Sequence, residues 1–137
     1  MPFSNYVTEP EQNLGTVSVV DDDEAVRDSI RWLLEASDYK VEAYESGESF
    51  IAKYDPNAIA VLLLDVRMTG MSGLEVQEHL LARKADLPII FISGHGDVPM
   101  AVNALKKGAA DFIEKPFDQA ALKQQVKHML QEARDSR

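Results

Sequence analysis

The chain has 137 residues, 45% of them hydrophobic and 27% charged, with a formal net charge of −9 and no cysteine. That is one domain's length with apolar material for a core, and it leaves no disulfide framework and no cysteine-held metal. The acidic balance argues against nucleic-acid binding by this chain alone, which needs clustered Lys and Arg, and suits cations or a partner with a basic face.

Residues 1–15 carry Pro2, Asn5, Pro10 and Asn13 and show no clean period, so a flexible N-terminal tail is expected there. They also lack the basic stretch followed by an apolar run of a secretory signal. Nowhere does the sequence approach the ~20 apolar residues needed to span a bilayer. The expected location is cytoplasmic, with no membrane association. Order is expected over 16–131, followed by a polar linker or tail at 132–137.

From Thr16 strands and helices alternate. Val17 to Val20 is a short β-branched run, and Glu24 to Ala36 places Val26, Ile30, Leu33 and Leu34 at helical spacing. Val41 to Tyr44 predicts a second strand, and Gly47 to Tyr54 a short helix with Phe50 and Ile51 inward. Ala58 to Leu64 is a continuous apolar run ending at a charge, the pattern of a central strand buried on both faces. A loop follows, Thr69-Gly70-Met71-Ser72-Gly73. Leu74 to Arg83 predicts a third helix with Leu74, Val76, Leu80 and Leu81 apolar. Leu87 to Ile92 predicts a fourth strand. Val98 to Lys107 is a helix ended by Gly108, and Asp111 to Ile113 a last strand. Asp118 can cap a final helix with Leu122, Val126, Met129 and Leu130 on one face. Five strands alternating with five helices predict an α/β fold, a doubly wound parallel sheet covered on both faces. Such sheets bind at the carboxyl ends of their strands.

At those ends stand Asp21, Asp22 and Asp23 after the first strand, Asp65 after the third, Ser93 after the fourth, and Lys115 and Pro116 after the fifth. Carboxylates gathered in one cleft repel by ~1 kcal/mol per pair at 4 Å in water and by about 4 kcal/mol at an effective dielectric near 20. A divalent cation relieves that, and an all-oxygen donor set suits Mg²⁺. A carboxylate beside a cation and an ammonium can act as a nucleophile toward a phosphoryl group. Each group has a plainer reading. Acids at a helix start cap it, Ser-Gly makes turns, and a lysine is usually solvated. What favours chemistry is four segments delivering suitable groups to one sheet edge.

The motifs Val19-Val20-Asp21-Asp22, Leu64-Asp65-Val66-Arg67-Met68, Ser93-Gly94 and Lys115-Pro116-Phe117 resemble those of response-regulator receiver domains over about residues 17–130. The stretch Ser93 to Val102 is similar to the FixJ-type branch, which usually carries a C-terminal helix-turn-helix domain. The resemblance implies the flavodoxin-like receiver fold. It also implies a two-component signalling role and no enzyme activity beyond the domain's own phosphoryl transfer and slow autodephosphorylation. Asp65 matches the phosphoacceptor. Asp22 and the backbone carbonyl of Arg67 match direct ligands of Mg²⁺ (or Mn²⁺) beside Asp65, and Asp21 a ligand through water. Ser93 and Lys115 match the hydroxyl and ammonium that contact the phosphoryl group, and Phe112 the switch aromatic. The Lys115–Pro116 bond is expected to be cis. Implied partners are a sensor histidine kinase and a phosphorylation-dependent homodimer formed through the fourth helix, fifth strand and fifth helix. DNA would be reached only through a possible C-terminal effector domain. Two departures stand out. Thr69 occupies a position where the family usually has proline, and Asp23 adds a third acid, expected to cap the helix.

Other classes fit less well. A haloacid-dehalogenase-type phosphohydrolase would need a second acid where Arg67 stands. Gly94-His95-Gly96 is a fragment of a dinucleotide motif, but Pro99 takes the place of its third glycine and it follows the wrong strand. A receiver that does not accept phosphate would not be expected to keep acceptor, acids, hydroxyl and lysine together. His79, His95 and His128 lack metal-ligand spacing and are expected to be solvated. Trp32 is expected to pack, and Lys106-Lys107 to complement a helix C-terminus.

Overall fold

A computed structural model describes residues 15–94 and 97–135. Along them run β1 (Thr16–Val20), α1 (Glu24–Glu35), β2 (Lys40–Tyr44), α2 (Gly47–Lys53), β3 (Ala60–Asp65), α3 (Gly73–Ala82), β4 (Ile89–Ser93), α4 (Val98–Lys106), β5 (Asp111–Glu114) and α5 (Gln119–Asp135). The alternation expected from the sequence is therefore present in full. Apart from Gly15, the expected N-terminal tail lies outside the described residues, as do His95, Gly96, Ser136 and Arg137.

The strands form one sheet in the order β2-β1-β3-β4-β5, and every pairing is parallel. β1 has β2 on one side and β3 on the other, so the winding reverses between β1 and β3. That reversal opens a crevice at their carboxyl ends. Val61 to Leu64 and Ile90 to Ile92 are wholly excluded from solvent, which explains why these strands read as unbroken apolar runs.

Two core layers follow from the alternation of side chains along each strand. On one face Val17, Val19, Val61, Leu63, Ile90 and Ile92 pack against Ile30 and Leu34 of α1 and Leu122, Val126 and Leu130 of α5. On the other, Val20, Leu62, Leu64 and Phe91 pack against Phe50 of α2, Val76 and Leu80 of α3 and Ala104 of α4. Helix starts are set by short polar side chains. Asp23 accepts from the Ala25 N–H, Ser46 from Ser49, and Asp118 from Ala120 at 3.2 Å. α3 has a full capping box, Ser72 with Glu75. α4 begins at Asp97, whose side chain makes no cap hydrogen bond.

Within the linker or tail expected at 132–137, residues 132–135 continue α5 as far as Asp135, because Gln131 to Arg134 are all competent helix formers following the buried Leu130. Other expectations need correcting. Trp32 does not pack: it is 81% exposed. Ile30 and Leu34, four apart, define the inward face of α1, and a residue midway between them points outward. Leu81 is likewise exposed, one step around the helix from the buried Leu80. His79 is not solvated at its Nε2, which is buried without a hydrogen-bond partner. His128 is exposed as expected, with Nε2 3.4 Å from Glu132 Oε2. Lys107 Nζ lies 3.3 Å from Glu78 Oε1, tying the end of α4 to α3.

Candidate functional site

Asp21 follows β1 directly and Asp65 is the last residue of β3, so the neighbouring strands deliver both carboxyls to the crevice. Asp22 joins them. One ligand oxygen from each of Asp21, Asp22 and Asp65 lies within 4.8 Å of the others. Asp21 and Asp65 are buried, while Asp22 is exposed. The turn that aims Asp21 is held by its own polar atoms. The Asp23 N–H donates to Asp21 Oδ1 at 2.9 Å, and Arg27 Nη1 donates to the Asp21 carbonyl at 2.7 Å. Asp23 caps α1 as expected, which takes it out of the cluster.

Lys115 enters from the end of β5, and the Lys115–Pro116 bond is cis as expected. Its Nζ lies 3.2 Å from Asp21 Oδ2 and 3.8 Å from Asp65 Oδ2. One ammonium thus faces two of the three clustered carboxyls. Burial is the largest influence on Asp65 and disfavours its charged form. The neighbouring Asp21 charge adds to that, while Lys115 and the backbone N–H of Arg67 oppose it, and the net effect pushes Asp65 up to about 7.

Ser93 ends β4 next to Asp65. Its backbone carbonyl accepts from the Lys115 N–H at 2.8 Å, while its hydroxyl oxygen is buried and has no hydrogen-bond partner. Phe112 lies on β5 opposite Phe91, half-buried against the layer containing Phe91 and Ala104. Ser93 pairs with Glu114 in the same register, so Phe112 sits on the adjacent strand two residues below the hydroxyl.

Sequence reasoning missed three contacts here. The Arg67 side chain turns away from the acids, and its Nε donates to Asp97 Oδ1 at 2.6 Å. This ties the loop after β3 to the start of α4 and explains why Asp97 does not cap its own helix. Thr69 hydrogen-bonds Asp22. Gly73, at the start of α3, lies so close to Asp65 that a β-carbon there would overlap the Asp65 carbonyl. Thirty residues separate Arg67 from Asp97 and 47 separate Asp22 from Thr69, and no local spacing signals such pairs. The unusual Thr69 was the single hint.

The arrangement presents a buried carboxylate flanked by an ammonium, a free hydroxyl and two further acids. It can hold a hard cation and accept a group bearing anionic oxygens.

Comparison with known proteins supplies the context. Residues 17–127 match the family model described as response regulator receiver domain. The transcriptional regulatory protein FixJ of Azorhizobium caulinodans is 50% identical over 106 residues, covering 77% of this chain and 50% of that protein. FixJ of Rhizobium meliloti is 46% identical over 107 residues, covering 78% and 52%. Among solved structures, FixJ-N superposes with a TM-score of 0.80 at 42% identity, over 85% of this chain and 94% of that one. The response regulator StyR gives 0.83 at 43% identity, over 88% and 61%. The chain spans about half the length of the curated relatives it matches.

Proposed function

This chain belongs to the response regulator receiver domain family and is FixJ-like, and from that premise we propose that Asp65 is its phosphoacceptor. The observation that carries the reading is the buried Asp65 carboxylate beside the Lys115 ammonium, at the crevice where the winding reverses, with the buried and unpartnered Ser93 hydroxyl at the end of the adjoining strand. Two-component signalling is the role of the family, and a sensor histidine kinase is the proposed donor.

The three acids fit a hard divalent cation, because their oxygens cluster closely and a single ammonium leaves most of their charge unbalanced. Asp22, Asp65 and the backbone carbonyl of Arg67 would hold Mg²⁺ or Mn²⁺, with Asp21 acting through water. When bound, it supplies Lewis-acid stabilisation of the transferring oxygens.

In the transfer an Asp65 carboxylate oxygen attacks phosphorus. A P–O bond to Asp65 forms, and the P–N bond to the donor histidine breaks, its electron pair remaining on the imidazole. Lys115 Nζ offsets charge on the transferred oxygens, and the Ser93 hydroxyl donates to one of them. The raised proton affinity of Asp65 sets a condition: its charged, nucleophilic form must be restored, by the cation or by pH above about 7.

The phosphoryl group then draws Ser93 and Lys115 toward itself, and Phe112 follows into the space beside β4. This changes the surface made by α4, β5 and α5, where a homodimer forms. Full switching of a mostly inactive population needs about 5 kcal/mol of preference for the active state. The named relatives are transcriptional regulators, and a DNA-binding effector beyond this chain is the proposed output. No helix among the described residues is long and apolar enough to cross a membrane.

The test is intact-protein mass after incubation with acetyl phosphate and Mg²⁺. One hydroxylamine-labile phosphoryl group is expected, dependent on the cation and lost in Asp65→Asn. Incorporation that persists in Asp65→Asn overturns the assignment.

A further inference from the structure

Asp22 is the exposed member of the three-acid cluster. Packing does not hold an exposed carboxylate, and repulsion from Asp21 and Asp65 drives it toward solvent. Its restraint comes from the loop after β3. The Thr69 N–H donates to Asp22 Oδ2 at 3.0 Å, and the Thr69 hydroxyl donates to the same oxygen at 3.3 Å. That loop is itself anchored. The Met71 N–H donates to Glu48 Oε2 of α2 at 3.3 Å, and the Ser72–Glu75 box begins α3 immediately after it.

We propose that Thr69 is a positioning residue for the divalent cation: its N–H and hydroxyl together hold the Asp22 carboxylate where it can ligate beside Asp65. This rests on the cation site proposed above. The alternative, that Thr69 withdraws Asp22 from the site, conflicts with the geometry. Asp22 offers an oxygen within 4.8 Å of those of Asp21 and Asp65 while both Thr69 bonds are made. An ionised carboxylate has about four acceptor positions, so two donors from Thr69 leave room for a metal. Hydrogen-bond partners of ligating groups orient them, and losing one typically weakens metal binding by roughly 10- to 100-fold.

Two substitutions separate the donors. Thr69→Pro removes both the N–H and the hydroxyl, whereas Thr69→Val keeps the N–H and the branched shape. Mn²⁺ is titrated into the unphosphorylated protein and the free ion is read by electron paramagnetic resonance. Thr69→Pro is expected to weaken binding by about 10-fold or more, and Thr69→Val by about 2- to 5-fold. Thr69→Ser, which restores a hydroxyl, should return to within about two-fold of native. Native-like or tighter binding by the Pro and Val variants overturns the proposal. If Thr69→Pro fails to fold, as judged by circular dichroism, the Val and Ser pair decides: equal affinities refute a positioning hydroxyl. Failure of the site itself looks different, because native protein would then bind no Mn²⁺, or Asp22→Asn would bind as native does.

Discussion

Replacing Asp65 with Asn should stabilise the metal-free protein, and the gain should grow with pH. Burial beside Asp21 raises Asp65 from 3.8 to about 7. Between those values the native state holds a proton that the unfolded chain has released, so stability falls as pH rises through the window and levels off above it. Each factor of ten in a proton equilibrium is about 1.36 kcal/mol, so the full cost of ionising Asp65 in the fold is roughly 4 kcal/mol. Part of it is already incurred by pH 5. From pH 5 to pH 8 the linkage relation leaves roughly 2–3 kcal/mol. Asn has nearly the same shape and no charge, so it escapes this cost. Urea unfolding of both proteins in EDTA at pH 5, 6, 7 and 8 measures the difference. It should widen by about 2 kcal/mol or more across the series, with the denaturant slope unchanged. Saturating Mg²⁺ should narrow it, because a cation that binds only the folded native protein adds its own stabilisation. A difference that stays flat, or shrinks with pH in EDTA, would refute the account of Asp65 as a carboxylate held against its own charge.

Gly73→Ala should destabilise by at least about 1–3 kcal/mol in the same assay. The new methyl group would meet the backbone at Asp65 and Val66, which cannot rotate away. A native-like midpoint would show that this backbone yields more easily than its packing implies. Lys115→Met should raise the titration midpoint of Asp65 still further, because the ammonium is the largest influence now lowering it. Carboxyl-carbon NMR on selectively labelled protein reads this directly, and an unmoved midpoint would mean that Lys115 does not act on Asp65.

Nearly all of the fold was legible in the sequence because its signals are local. Branched apolar runs at β1, β3 and β4 and the 3.6-residue spacing in α1 and α5 are read within one segment. Asp23 and Asp118 announce helix starts in the same way. The strand-end rule then placed Asp21, Asp65, Ser93 and Lys115 together, since parallel topology fixes which residues share an edge. Reading from neighbours misled at Trp32, where flanking Ile30 and Leu33 suggested packing although the helical angle turns Trp32 outward. The polar ties around the site, Arg67 to Asp97 and Asp22 to Thr69, were illegible for a different reason. They join loops whose relative placement depends on the assembled sheet, and nothing in either partner's own segment demands the other.

The contrast between the two helices that border the crevice has a consequence for where the molecule opens first. α3 starts from a reciprocal box in which side chain and backbone satisfy each other. α4 starts from a residue whose carboxylate is committed to a guanidinium in another loop. A side-chain cap is typically worth ~1 kcal/mol, and the part-buried Arg67–Asp97 pair does not supply one to α4. The first turn of α4 is thus held more loosely than that of α3, and its amide protons belong to the class that exchange by local fraying rather than by global unfolding. Motion at that end of the helix costs little, so a small rearrangement at Arg67 is enough to change how often α4 frays.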